Sequence, residues 1–238
     1  MPVTEFALLH LSHSPPYPPL LSTLASAMRL QTAWHAARFP QQPSSAAARA
    51  AVWFVQAENP ARLLTTARWA STAAHWEWIR SEENAGVMAG LVDGGEIVGE
   101  DTVLWHVEGD LFGGGEDGAG GDGAEEEGVG GSPLLQSPVI SVSRIFVARE
   151  KREAFAARFG EVKGILEGYA GGSELVRYGW RDDGDEGVEE DEFVLVCGWE
   201  SIEKHFGFPE CPRFAEFDTI QELISRVDLN HYRPLPLE

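Results

Sequence analysis

Four histidines give this chain its first chemical reading. His75 lies in Arg68-Trp69-Ala70-Ser71-Thr72-Ala73-Ala74-His75-Trp76-Glu77-Trp78, and His205 lies 130 residues later in Gly198-Trp199-Glu200-Ser201-Ile202-Glu203-Lys204-His205-Phe206-Gly207-Phe208. His106 in Leu104-Trp105-His106 and His231 in Leu229-Asn230-His231 recur at a spacing of 125. Imidazole titrates near neutral pH, so each of the four is a candidate to move a proton in catalysis. Each also has a purely structural reading. A histidine one turn into a helix after a Trp-x-Ser strand end can bond a nearby carbonyl or pack on the tryptophan. Strand alternation separates His106 from Trp105 and His231 from Tyr232, but it leaves open whether the histidine face lines a barrel, where it could reach a ligand, or meets the helices, where it packs. No His-x-His or His-x-x-x-His spacing links the four, so no metal site is expected. Cys197 sits in an apolar run and reads as core rather than as a nucleophile.

The elements that must position these histidines follow from the pattern of apolar residues. Val3 to Leu11 alternates as a strand, and Ser14-Pro15-Pro16-Tyr17-Pro18-Pro19 stops it. Leu21, Leu24, Met28 and Trp34 predict a helix. Strands are predicted over 51–55, 63–69 and 102–111, with a helix capped by Ser71 and another over 82–91 between the last two. The order is strand, helix, strand, strand, helix, strand. It returns in the second half. Strands are predicted over 139–147, 175–180, 193–199 and 227–232. Phe155, Phe159, Val162, Leu166 and Tyr169 mark one helix, and Pro212, Phe214, Phe217 and Ile224 mark another. The fold class is therefore α+β, with two ferredoxin-like repeats. The expected division is 1–112 as the first unit, 113–137 as an acidic Gly-rich linker without regular structure, and 138–238 as the second unit.

The formal net charge is −20, but fourteen acids fall in two blocks, Glu116 to Glu127 and Asp182 to Glu192. The −20 less these fourteen leaves −6, so the folded parts are only mildly acidic. Such blocks are usually solvated loops. No basic patch is available to neutralise phosphates, which argues against nucleic acid as a partner. With two cysteines, no apparent leader and no apolar run of membrane-spanning length, a cytoplasmic protein without membrane contact is expected.

The run Cys197-Gly198-Trp199-Glu200-Ser201-Ile202-Glu203-Lys204-His205, with its looser copy at Arg68 to His75, resembles the antibiotic-biosynthesis-monooxygenase-like (ABM) branch of the dimeric α/β barrel superfamily. The likeness is to its tandem, single-chain fungal type. It implies that the two units close an intramolecular dimeric α/β barrel as an internal pseudo-dimer, with a further homodimer left open. The superfamily includes cofactor-independent monooxygenases, polyketide cyclases, haem-degrading enzymes and proteins with no known reaction. Gly90-Leu91-Val92-Asp93-Gly94 matches a short pattern of haem peroxidases of this fold. Five positions with two free match by chance, and no cofactor is expected.

Two functions remain open. In the first, the protein is an enzyme for a hydrophobic aromatic or polyketide-like small molecule. His75, His106, His205 and His231 would be its acid–base candidates, and Trp105, Tyr178, Tyr232 and Arg144 would contact the substrate. In the second, it is a non-catalytic ligand-binding or structural barrel of the stress-response kind. The abundance of tryptophan suits either reading, because aromatic side chains build both cores and flat apolar pockets.

Overall fold

The computed structural model describes residues 1–13, 18–113, 132–183 and 189–237. Three sequence expectations fall outside them: the proline stop at residues 14–17, residues 114–131 of the acidic linker, and residues 184–188 of the second acidic block. The chain divides into a first unit, Met1–His106 with Arg233–Glu238, and a second unit, Val107–Tyr232.

In the first unit the elements are β1 (Val3–His10), α1 (Pro18–Arg38), β2 (Val52–Gln56), β3 (Arg62–Trp69), α2 (Thr72–Ile79), α3 (Glu82–Asp93) and β4 (Val103–Glu108, which runs just past the unit boundary). The strands lie in the order β4-β1-β3-β2. Alternation along β1 then decides which side chains meet the helices. Ala7 and Leu9 pack with Leu20 and Leu24 of α1, Leu63 of β3 and Leu91 of α3. Val3 packs with Trp69 of β3 and with Ala74 and Trp78 of α2. Glu5 has the same parity as these residues. The even residue Phe6 points to the opposite sheet face, where it stacks on Trp105. The apolar stripe of α1 is turned from the expected one. Leu20 and Leu24, one turn apart, are buried, and Leu21 sits at the margin. Residues beyond the second unit return to this one, where the Leu235 N–H donates to the Trp53 carbonyl (2.8 Å).

The second unit carries β5 (Val139–Ala148), α4 (Arg152–Ala170), β6 (Val176–Trp180), β7 (Glu190–Trp199), α5 (Ile202–Phe206), α6 (Phe214–Phe217) and β8 (Arg226–Pro234). Its strand order, β8-β5-β7-β6, runs fourth, first, third, second, as does that of the first unit. Phe155, Phe159, Val162 and Leu166 are buried from α4, as their spacing predicts. Gly171 ends that helix at φ 117°, a left-handed conformation that glycine adopts without strain. The helix expected after Pro212 is divided. It is α-helical only over Phe214–Phe217 and continues as a 3-10 turn over Asp218–Leu223. The Thr219 hydroxyl donates to the Glu216 carbonyl (2.7 Å), an acceptor that a continuing α-helix would need for the next residue's N–H.

Both units turn the corner from strand to helix in the same way. Ser71 and Ser201 sit in extended conformation, and their hydroxyls accept from the Ala74 N–H (3.1 Å) and the Lys204 N–H (3.2 Å). A serine cap of this kind contributes about 1 kcal/mol. Ser71→Ala and Ser201→Ala are each expected to lower the unfolding free energy by that amount, read as a lower urea midpoint with an unchanged slope. Among the described residues, no helix is long and apolar enough to cross a membrane.

Candidate functional site

The corner after β3 is built on Trp69. This strand-end residue is fully buried, and its indole N–H donates to Glu5 Oε2 (2.6 Å) across the β1–β3 pair. His75, one turn into α2, stacks on the indole with ring centres 4.6 Å apart. Its Nδ1 lies 2.6 Å from His106 Nε2 on β4, and its Nε2 lies 3.3 Å from Glu5 Oε2. Glu5, His75 and His106 thus form a line of three buried ionisable groups, held in place by one tryptophan. Among the described residues, no three His, Cys, Asp or Glu side chains are disposed to hold a metal ion.

The second unit repeats the frame without the acid. His205 stacks on Trp199 at 4.4 Å, and its Nδ1 lies 2.7 Å from His231 Nε2. The Trp199 indole donates instead to the Ser141 hydroxyl (2.9 Å). Strand register makes the correspondence plain: Val3 opposes Trp69 and Val139 opposes Trp199, so Glu5 and Ser141 hold the same position. The four histidines singled out in the sequence are therefore brought together as two pairs, one within each unit. Each pairs a residue of the helix after the third strand with one of the fourth strand.

Glu5 is 5% exposed, and burial is the largest influence on it. Burial raises its pKa to about 7, against the opposing effects of the Trp69 hydrogen bond and the charges of Arg49 and His106. Glu5 is among the residues lining a cavity of about 280 Å³ on the helix side of the first unit. Ala7 and Leu9 of β1, Met28 of α1, Trp53 and Thr65 of the sheet, Trp78 of α2 and Val87 of α3 supply much of the lining. At two lining positions this unit carries smaller side chains than its counterpart. Thr65 corresponds to Leu195 and Val87 to Phe217, each 130 residues on. By register Val55 corresponds to Trp180, since these residues oppose Leu63 and Phe193. In the second unit Phe155, Trp180 and Phe193 pack edge-on within about 6 Å of one another, and Phe159 meets Phe193 edge-on at 5.0 Å.

The remaining expected contacts lie elsewhere. Trp105 is buried against Phe6 on the face away from the helices. Tyr178 packs on Phe159 and Phe193 in the core of the second unit. Arg144 forms a two-point ion pair with Glu192, which also holds Arg181. Tyr232 is buried on β8, one residue after His231 and with opposite strand parity. None of these four borders the cavity. The residues that sequence reading passed over are Glu5, Arg49 and His35. His35 is buried edge-on to Trp69, and its pKa is lowered to about 4 by burial and by the nearby Arg49 charge. A signal for Glu5 was present: an acid in an otherwise apolar strand, on the Ala7 and Leu9 face. Arg49 and His35 gave none, because a loop residue and a lone helical histidine acquire their neighbours only on folding.

The second pair has a measurable consequence. Burial, and after it the His231 charge, lowers the His205 pKa from 6.5 to about 4. A histidine depressed in the folded state favours the fold above its unfolded value, and that contribution is lost as pH falls from 6.5 through 4. His205→Gln is expected to flatten this part of the stability-against-pH curve, measured by urea denaturation.

No family model matches the chain, and no curated protein matches it. Solved structures do resemble it. An anthrone oxidase-like protein superposes with a TM-score of 0.57 at 12% identity, over 99% of this chain and 92% of its own. A candidate monooxygenase of Fusobacterium nucleatum subsp. nucleatum ATCC 25586 superposes at 0.54 with 10% identity, over 100% and 94%. A variant of chlorite dismutase from Candidatus Nitrospira defluvii gives 0.53 with 13% identity, over 99% and 92%. At such identities the likeness is one of fold, and proteins sharing a fold carry different chemistries.

Proposed function

We propose that this chain is a monooxygenase-like enzyme for a hydrophobic aromatic small molecule, acting in the cavity of its first unit. One observation carries the reading: a buried acid, Glu5, lines an otherwise largely apolar cavity, and burial raises its pKa to about 7. Such a cavity selects a flat apolar compound with one acidic O–H or C–H beside the carboxyl. At neutral pH Glu5 is poised to take that proton and later return it. His75 and His106 stand behind it, where they can orient the carboxyl and adjust its charge.

Proton removal leaves an electron-rich phenolate, enolate or carbanion. Such an anion reacts with dioxygen directly, so the proposed chemistry asks for no cofactor. In the oxygenase form, an activated methylene becomes a carbonyl. One oxygen atom of dioxygen enters the product, and the other leaves with the two methylene hydrogens as water. In the cyclase form, the carbanion adds to a carbonyl carbon of the same molecule, and Glu5 returns the proton to the new alkoxide. Anthrone is the first probe to test, given the anthrone oxidase-like neighbour in fold. The full chain is expected to consume one dioxygen per anthrone converted, well above the uncatalysed rate. A rate equal to background with anthrone and with a panel of fused-ring phenols would sink the enzyme reading.

A specific observation favours the second reading for part of the molecule. The Trp–His–His arrangement persists in the second unit, where Ser141 replaces the acid. The histidine pairs are therefore assigned first to holding the strand-to-helix corner, and the proton chemistry to Glu5. Ligand binding without turnover would make the protein a carrier. The shared element and strand orders, and the likeness in fold over nearly the whole chain, support two ferredoxin-like units of a dimeric α/β barrel protein of the tandem ABM type, joined by the acidic linker.

A further inference from the structure

Arg49, in the loop between α1 and β2, is 1% exposed. Its guanidinium lies over the Trp69 ring at 4.3 Å, on the indole that also carries His75 and bonds Glu5. Nε donates to the Arg68 carbonyl (3.4 Å), whereas Nη1 and Nη2 find no acceptor among the described residues. The backbone holds it there firmly. The Arg49 carbonyl accepts from the Arg68 N–H (2.6 Å), the Ala50 carbonyl accepts from the Thr66 hydroxyl (2.9 Å), and Ala50 takes a left-handed φ of 48°. An alanine in that conformation is strained, so the loop is kept in an unfavourable shape with the cation in place. A buried cation short of hydrogen-bond acceptors is costly unless a negative charge lies near it.

The ionisable groups facing this cluster are Glu5 from β1, His35 from α1, His75 from α2 and His106 from β4. Glu5 is the one acid among them. With Glu5 ionised, its charge offsets that of Arg49. When Glu5 takes a proton from a ligand, the ligand's conjugate base supplies the negative charge and the balance of the site is unchanged. We propose that Arg49 is a positioning residue whose fixed charge, acting beside Trp69 and Glu5, makes the cavity a site for weakly acidic phenols and enols bound as their anions. This rests on the reading of Glu5 as the proton acceptor. The charges of Glu5 and Arg49 influence each other in the expected sense: Arg49 lowers the Glu5 pKa and Glu5 raises that of Arg49.

The test uses the full chain and does not depend on turnover. Infrared titration of the Glu5 carboxyl, identified by its loss in Glu5→Gln, is expected to give a midpoint about one unit higher in Arg49→Met, a tenfold change in ionisation. Arg49→Lys should return it toward the wild-type value. Should Arg49→Met not fold, Glu5→Gln supplies an independent arm, because it leaves the arginine without its acid. That variant is expected to bind 4-nitrophenolate, a coloured phenol anion, about tenfold more tightly than wild type at pH 8. An unmoved Glu5 midpoint in Arg49→Met, or equal nitrophenolate affinity in Glu5→Gln and wild type, overturns the inference. Both arms succeeding without any oxidation of the aromatic probes would uphold the anion site and overturn only the enzymatic reading.

Discussion

Glu5→Gln is expected to lower turnover by about two to four orders of magnitude, the range that a positioned general base supplies. The substitution preserves the shape of the side chain and its ability to accept from the Trp69 indole, so ligand binding should survive. It should also change stability in a direction that marks the residue. Burial raises the Glu5 pKa from 4.5 to about 7 in the folded protein. A carboxyl raised on folding favours the fold fully below its unfolded value, and that contribution is lost as pH rises from 4.5 through 7. The loss amounts to about 3 kcal/mol. Glutamine has no proton to lose, so Glu5→Gln should be more stable than wild type at pH 8 by a figure of that order, measured by urea denaturation. A variant that is inactive and less stable at pH 8 would mean that Glu5 serves the fold and that its loss of activity is indirect.

The second large effect is expected from filling the cavity. Thr65→Leu with Val87→Phe gives the first unit the residues that the second carries at Leu195 and Phe217. Both positions line the cavity, and neither touches the hydrogen bonds among Glu5, Trp69, His75 and His106. Binding of a fused-ring phenol such as 1-naphthol is expected to weaken about a hundredfold, the scale of a few kcal/mol of overlap. The thermal midpoint should stay within a few degrees of wild type, because added apolar volume enters space that is otherwise unfilled. Unchanged affinity in a folded double variant would place the ligand outside this cavity.

Much of this arrangement was legible in the sequence, and the reason is periodicity. The recurring Trp-x-Ser…His unit located both strand-to-helix corners. The spacing of Phe155, Phe159, Val162 and Leu166 located α4, because burial on one side of a helix leaves a mark every three or four residues. The pairing of His75 with His106 and of His205 with His231 was not legible. The sequence aligns His75 with His205 and His106 with His231, whereas the hydrogen bonds run within a unit, from the helix to the fourth strand. Such neighbours are set by tertiary contact and have no local spacing. The partition of faces by alternation was read, but its sign came only with the helices in place. Covering the face that carries Ala7, Leu9 and Leu104 put His106 beside the helices and left Trp105 on the other side. Glu5 is not singled out by the pattern from Val3 to Leu11, because a strand is recognised by its apolar residues. The difference in side-chain size between Thr65 and Leu195, or Val87 and Phe217, was also present in the sequence. It became a cavity only once strand and helix were packed together, with Thr65 and Val87 lining one space.

The proposed chemistry requires Glu5 to exchange a proton with a ligand in the first unit. The pH dependence of kcat/KM for wild type and Glu5→Gln, measured as dioxygen uptake under the assay proposed above, tests this most directly. Wild type is expected to gain activity through an apparent pKa near 7, as the carboxyl ionises, and Glu5→Gln to lose that limb together with most of its rate. The same limb persisting in Glu5→Gln, at rates within a few-fold of wild type, would contradict the account and assign the proton to another group.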